Sequence, residues 1–203
     1  MTKLLVATHN QGKVVEFAEM LTDMAIEWLS LDDVGVTQDV EETGSTFREN
    51  SLLKAQAYAA ETGLLTLADD SGLEVDALMG APGVFTARYG GVGLTAVQRY
   101  KKLLADIKNV PMAQRTARFR CAIVLSAPDG TILGESEGVC EGVIALEAAG
   151  GGGFGYDPIF FVPQLQKTLA QIPAKQKHKI SHRGQAVRQI EPLLRSILKN
   201  QES

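Results

Sequence analysis

Basic charge is scarce in this 203-residue sequence: 20 Lys and Arg stand against 24 Asp and Glu, a formal net charge of −4. A general DNA or RNA binder carries a basic face, so no nucleic-acid partner is expected. A local basic pocket for a small anion is still compatible with that balance. Long apolar runs are missing too. The N-terminus, MTKLLVATHNQGK, is apolar only from Leu4 to Ala7, too short for a signal peptide or a membrane span. A cytoplasmic protein with no membrane partner is therefore expected. Cysteine is limited to Cys121 and Cys140, without metal-ligand spacing. Buried thiols in a reducing compartment are expected ahead of a cross-strand redox pair. Internal repeats, low-complexity tracts and long linkers are also lacking, which leaves a single domain over residues 1–203.

What is present suits a packed fold: 45% of residues are hydrophobic and 22% charged, enough apolar surface for a core. Lys3 to Ala7 reads as a short buried strand. From Gly12, the apolar residues Val14, Phe17, Ala18 and Leu21 recur at helical spacing, so a helix follows the loop. IEWLSL suits a strand. Thr46-Phe47-Arg48-Glu49 has the form of a capping box, opening a helix that stops at Gly63. Leu64 to Ala68 is a second apolar run, predicted as a central strand with Asp69-Asp70-Ser71-Gly72 at its C-terminal end. Leu94 to Ile107 is helical in pattern. ARFRCAIVLSA and TILGESEGVCEGVIAL form a hairpin around Asp129-Gly130. IFFV is a short strand, and a last helix begins near Ser181 or Gly184. Early alternation of helices and strands with a late hairpin predicts an α/β fold with a mixed sheet and flanking helices, in two lobes.

The first turn, Ala7 to Val15, ends on Gly12-Lys13 as phosphate loops often do. A Walker loop needs a first glycine, which is Ala7 here, and a Ser or Thr after the lysine, which is Val14. The hydroxyl that would hold Mg²⁺ is thus absent. A strand, a turn and a helix N-terminus still present backbone N–H groups and a positive dipole end to an anion. Thr8 and Asn10 add neutral donors, and Lys13 a charge. The same pattern also suits a capped turn with a solvated lysine.

If a polyphosphate binds at this turn, its metal must be held elsewhere. Mg²⁺ usually takes one or two carboxylates together with substrate phosphates, and the candidates are Glu41-Glu42 and Asp69-Asp70. Successive strand residues point to opposite faces. If strand geometry persists through Asp70, one of that pair faces the site and the other is structural. Two further clusters remain. Gly150 to Pro158 offers close backbone approach and the flat faces of Phe154 and Tyr156. Gln176 to Gln185 packs Lys177, His178, Lys179, His182 and Arg183 into a short basic segment, suited to a phosphate or to the acceptor edge of a base, or else to an exposed basic turn.

Together these segments resemble the Ham1 family of non-canonical purine nucleoside triphosphate pyrophosphatases. The resemblance rests on Thr8-x-Asn10-x-Gly12-Lys13, Glu41-Glu42-Thr43-Gly44, Phe47-x-Glu49-Asn50 and Ala68-Asp69-Asp70-Ser71-Gly72. It continues through Ala81-Pro82-Gly83, Ala87-Arg88-Tyr89, Phe154-Gly155-Tyr156-Asp157-Pro158 and Ser181-His182-Arg183-Gly184, in order over residues 4–184. The resemblance implies Mg²⁺-dependent hydrolysis of the small molecules ITP, dITP and XTP to monophosphate and pyrophosphate. It implies an elongated mixed sheet in two lobes around a central cleft, usually as a homodimer. Thr8, His9, Asn10, Gln11, Gly12 and Lys13 would hold the triphosphate. Asp70 would be the catalytic carboxylate, acting as proton acceptor, and a Mg²⁺ ligand with Glu41 or Glu42, and Ser71 would touch substrate. Phe154, Gly155, Tyr156, Asp157, Lys177, His182 and Arg183 would line the nucleotide and base pocket. A pyrimidine-directed relative of Maf type, or a catalytically silent nucleotide-binding regulator, are the rival readings.

Overall fold

The computed structural model describes residues 1–201. Its strands form one seven-stranded sheet, ordered β2-β1-β3-β4-β5-β6-β7. These are β1 (Thr2–Val6), β2 (Ile26–Leu29), β3 (Leu65–Val75), β4 (Thr116–Ser126), β5 (Ile132–Ile144), β6 (Phe160–Val162) and β7 (Lys167–Thr168). The helices are α1 (Gln11–Met20), α2 (Phe47–Thr62), α3 (Ala96–Asp106), α4 (Ala174–Ile180) and α5 (His182–Gln201). β1 pairs in parallel with β2 and β3, whereas β6 is antiparallel to β5 and β7. The expected mixed sheet with flanking helices is therefore present. Among the described residues, no helix is long and apolar enough to cross a membrane.

The chain divides into two compact units. The first holds residues 1–70 and 121–138 and the chain from Arg183 onward; the second holds residues 71–120 and 139–182. In the first unit β1 is buried on both faces. Leu4 and Val6 join a core with Phe17 of α1 and Val187, Ile190 and Leu194 of α5. Leu5 and Ala7 join another with Ala55 and Tyr58 of α2. A parallel strand covered by helices on both sides reads as a continuous apolar run, which is why LLVA does not alternate. In the second unit Leu73, Val75, Leu103, Phe119, Ile144, Tyr156 and Phe160 belong to one core.

Local signals were kept. Thr46 caps α2 in a reciprocal box with Glu49, and Gly63 ends that helix in the left-handed region at φ 66°. Thr131 N–H donates to Asp129 in the turn between β4 and β5. Both cysteines are buried and free, Cys121 in the first unit and Cys140 in the second.

One element corrects the sequence reading. The strand after α2 does not stop at Ala68. It continues to Val75, so the Asp-Asp-Ser-Gly segment lies inside it. The apolar run ends at Ala68, but Leu73 and Val75 pack into the second unit's core and keep the backbone extended. It is β1 that ends there: its last register pair is Val6 with Leu67. The two acids therefore stand just past the end of a parallel neighbour, where open α/β sheets hold their ligands.

Candidate active site

Strand parity separates the two acids. Leu65 and Leu67 face the α1–α5 side, and Asp69 follows them; Ala68 faces the α2 side, and Asp70 follows it. On the first side Asp69 is buried. Lys13 Nζ reaches its Oδ1 at 2.9 Å, and Arg183 donates to its Oδ2 through Nη2 at 3.0 Å and Nε at 3.3 Å. Arg183 also donates to Glu16 Oε2 at 2.6 Å, and it is only 1% exposed. Burial works against ionisation of Asp69, but Lys13, Arg183 and Lys54 override it and hold the carboxyl far below the usual carboxylate range. Cys121 donates toward the same carboxylate at 4.0 Å, and burial beside that charge pushes its thiol up to about 12. Asp69 is thus an ionised anchor for two cations.

Asp70 faces a different set. Asn50 Nδ2 donates to its Oδ2 at 3.0 Å, and Lys54 Nζ lies 3.8 Å from its Oδ1. Lys54 also pairs with Glu42 Oε1 at 2.7 Å and donates to the Asp69 carbonyl at 2.9 Å. Burial, reinforced by Glu42, raises the Asp70 carboxyl above its ordinary value despite Lys54 and Asn50. For Lys54 burial opposes the charge, yet Asp70, Glu42 and Asp69 together raise its ammonium above the ordinary value. Of the two loop glutamates it is Glu42 that reaches this cluster, whereas Glu41 is exposed. The loop carrying Glu42 is tied at Val40, whose N–H donates to Tyr58 Oη at 2.9 Å, and at Gly44, whose N–H donates to Asn50 Oδ1 at 2.8 Å. Asn50 therefore supports Asp70 with one end of its amide and the Glu42 loop with the other.

The first turn is closed by its own side chains. Asn10 N–H donates to Thr8 Oγ1 at 3.1 Å, and Gly12 N–H to Asn10 Oδ1 at 2.9 Å, making Asn10 the N-cap of α1. Gln11 donates to Ser30, and His9 Nδ1 lies 2.6 Å from Asp32 Oδ1. Lys13 is half-buried and paired with Asp69.

The second unit assembles the aromatic and basic segments. Lys177 Nζ donates to Asp157 Oδ2 at 2.9 Å and lies 4.8 Å from the centre of the Phe154 ring. Asp157 Oδ2 also accepts from Phe154 N–H at 2.8 Å. Gly153 makes this loop possible: at φ +69° it has no room for a Cβ, which would come within 2.0 Å of that carboxylate oxygen. Phe154 is 40% exposed and offers a face, whereas Tyr156 is 3% exposed. The Tyr156 ring belongs to the core, and its hydroxyl donates to the Thr86 carbonyl at 3.0 Å. The basic segment is no exposed turn. It is α4 followed by the start of α5, with Lys177 and His182 each 6% exposed. His182 stacks on Phe119 at 4.8 Å between centroids and 13° between planes. Ser71, the first residue of the second unit, is half-buried in β3.

Sequence reading assigns Arg183 a base-facing donor role, but its guanidinium turns to Asp69 and Glu16. Lys54 and Asn50 are not among the site residues expected from the sequence, although Asn50 stands in the Phe47-x-Glu49-Asn50 motif. A signal for them exists: Phe47, Asn50, Ser51, Lys54, Ala55 and Tyr58 share the buried face of α2 at helical spacing, so an amide and an ammonium interrupt an inward stripe.

The Ham1 family profile matches residues 4–193. The chain is 50% identical over 198 residues to a dITP/XTP pyrophosphatase of Shigella flexneri, covering 97% of this chain and 100% of that protein. It is 47% identical over 200 residues to one of Desulforamulus reducens, covering 98% and 99%. A solved HAM1 protein of Coxiella burnetii superposes with a TM-score of 0.86 at 43% identity, covering 97% of this chain and 100% of that one.

Proposed function

The chain belongs to the Ham1 family, and on that premise we propose that it hydrolyses non-canonical purine nucleoside triphosphates (dITP, ITP and XTP) to the monophosphate and pyrophosphate. The observation that carries the reading is the pairing of Asp70 and Glu42 about Lys54, next to the turn that bears Lys13. In this reading Lys13 and the N-terminus of α1 hold the phosphates. Asp70 orients the attacking water and accepts its proton as water adds to the α-phosphorus and the bond to the α–β bridging oxygen breaks. Lys54 balances the two acids and keeps both in place. In the second unit Phe154 offers a ring face to the base, and Lys177 and His182 offer donors to a 6-oxo group. Adenine carries a 6-amino donor there and leaves them unpaired, a mismatch that can discriminate by about 10⁴-fold.

The donor set fits Mg²⁺. Two carboxylates share one ammonium, and burial and repulsion from Glu42 leave the Asp70 carboxyl raised, a strain that a divalent ion relieves. Among the described residues no group of three or more His, Cys, Asp or Glu could hold a metal alone, so Asp70 and Glu42 would share the ion with substrate phosphates. When bound, Mg²⁺ supplies charge neutralisation at the phosphate oxygens and polarises water. A homodimer in the cytoplasm completes the proposal, the former checked by light scattering on the purified chain. One assay tests the activity: incubation with Mg²⁺ and a panel of triphosphates, with and without chelator. Pyrophosphate release from dITP and XTP, abolished by chelator, is expected. Orthophosphate release, equal turnover of dATP and dITP, or binding without turnover overturns the reading.

A further inference from the structure

A chain of contacts in the second unit leads to His182 from a glycine two strands away. Gly142 lies in β5, and a Cβ there would come within 2.6 Å of Phe160 Cε1 and Cζ. The absence of that Cβ lets the fully buried Phe160 ring approach the strand closely. Phe160 in turn meets Phe119 of β4 at 4.7 Å between centroids, tilted by 47°. Phe119 then stacks nearly parallel on His182, the residue that opens α5. The tilted Phe160 ring limits sliding of Phe119, and a ring stacked on Phe119 cannot turn about its Cβ–Cγ bond without losing the stack.

We propose that Phe119 is a positioning residue for substrate selectivity: its stack on His182 fixes the direction in which that imidazole presents its ring nitrogens to a purine. The inference rests on the reading that His182 addresses the base. A hydrogen bond to a ring nitrogen lies in the plane of the imidazole and weakens steeply when misaligned. Reading a 6-oxo group against a 6-amino group therefore requires a ring plane that stays put. An aliphatic residue at position 119 fills the space but removes the stacked face.

The test compares Phe119→Met, a volume-conserving change that lacks a flat face, with Phe119→Tyr, which keeps one. The first readout is the ratio of kcat/KM for dITP to that for dATP. The stack strength of such a pair corresponds to a factor of about two to ten, so Phe119→Met lowers the ratio by about two- to tenfold and Phe119→Tyr retains it. The second readout is the proton NMR of the His182 ring in the full-length protein. The Phe119 ring current displaces those signals upfield, Phe119→Tyr preserves the displacement and Phe119→Met removes it; Phe119→Leu serves as a second non-aromatic variant should the methionine fail to fold. An unchanged dITP-to-dATP ratio in the non-aromatic variants, or upfield signals that persist in them, overturns the proposal. His182→Asn separates the causes. If it lowers the ratio while Phe119→Met does not, the stack is irrelevant to selectivity. If neither changes the ratio, His182 does not address the base, and that part of the functional reading falls with it.

Discussion

Replacing Arg183 by methionine separates a buried structural ion cluster from a base-reading donor. The guanidinium makes two bonds to Asp69, at 3.0 and 3.3 Å, and one to Glu16 at 2.6 Å. Its removal leaves two carboxylates facing an apolar side chain. Breaking a buried pair from one side costs about 3–5 kcal/mol, because the remaining charge is stranded. Lys13 still holds Asp69 at 2.9 Å, so the lower end, about 3 kcal/mol, is expected. For a chain of this size that corresponds to a fall in Tm of roughly 6–12 °C. The pH dependence supplies a sharper signature. In the parent, Asp69 sits far below its unfolded value near ~3.9, so its contribution is complete above that value and is lost only as pH falls through the folded one. In Arg183→Met, burial is opposed by lysines alone and the Asp69 carboxyl rises. The variant then takes up a proton earlier on acidification, and the proton substitutes for the lost cation. The stability gap should be widest at neutral pH and should narrow as the pH approaches 4 from above, about where free carboxylates titrate. Urea unfolding followed by circular dichroism at neutral and mildly acidic pH measures it. Parent-like stability at neutral pH, or a gap that does not change with pH, refutes the reasoning.

Three further outcomes follow from the Asp70 side. Asp70→Asn should lower kcat for dITP by about 10²–10⁴-fold, the usual weight of a positioned acid–base group. Its stability should be unchanged or higher, since burial disfavours the charge that the amide removes; pyrophosphate release and thermal melting check both. Lys54→Met strands Glu42 and Asp70 and should cost about 3 kcal/mol at neutral pH. Because the folded ammonium is raised above its ordinary value, its contribution is present below about 10.4 and fades as pH rises through the folded value; alkaline urea titrations should thus narrow the gap to the variant. Gly44→Ala brings a Cβ to 2.6 Å from both Asn50 Oδ1 and Glu49 Cβ, an overpacking cost of about 1–3 kcal/mol. It should also reduce turnover by shifting the Glu42 loop, and wild-type melting and activity in this variant would contradict the assigned anchor.

Much of the fold was legible because its signals are local. The capping box at Thr46 and Glu49, the left-handed Gly63 and the Asp129-Gly130 turn each depend on backbone hydrogen bonds within a few residues. The apolar LLVA run marked a strand covered on both faces. The length of β3 was not legible. Asp69-Asp70-Ser71-Gly72 has turn composition, and only the packing of Leu73 and Val75 in another core keeps it extended. For the site, residue types and alternation announced that one acid of the pair would differ from the other. They did not say which partners each acid would meet.

By itself the amino-acid sequence determined the parts: a phosphate-type turn without its own metal hydroxyl, two acid pairs, a glycine-rich loop with two aromatics and a basic segment near the C-terminus. Tertiary structure alone decided how they are shared out. It turned Arg183 inward onto Asp69, 114 residues away, set Glu42 rather than Glu41 on Lys54, and gave Tyr156 to the core while leaving Phe154 partly exposed. The physical reason is one of range. Strand parity and helix spacing act over a few residues and are written in the chain, whereas the partner of a buried charge is whichever opposite charge the packed elements bring within about 3 Å of it.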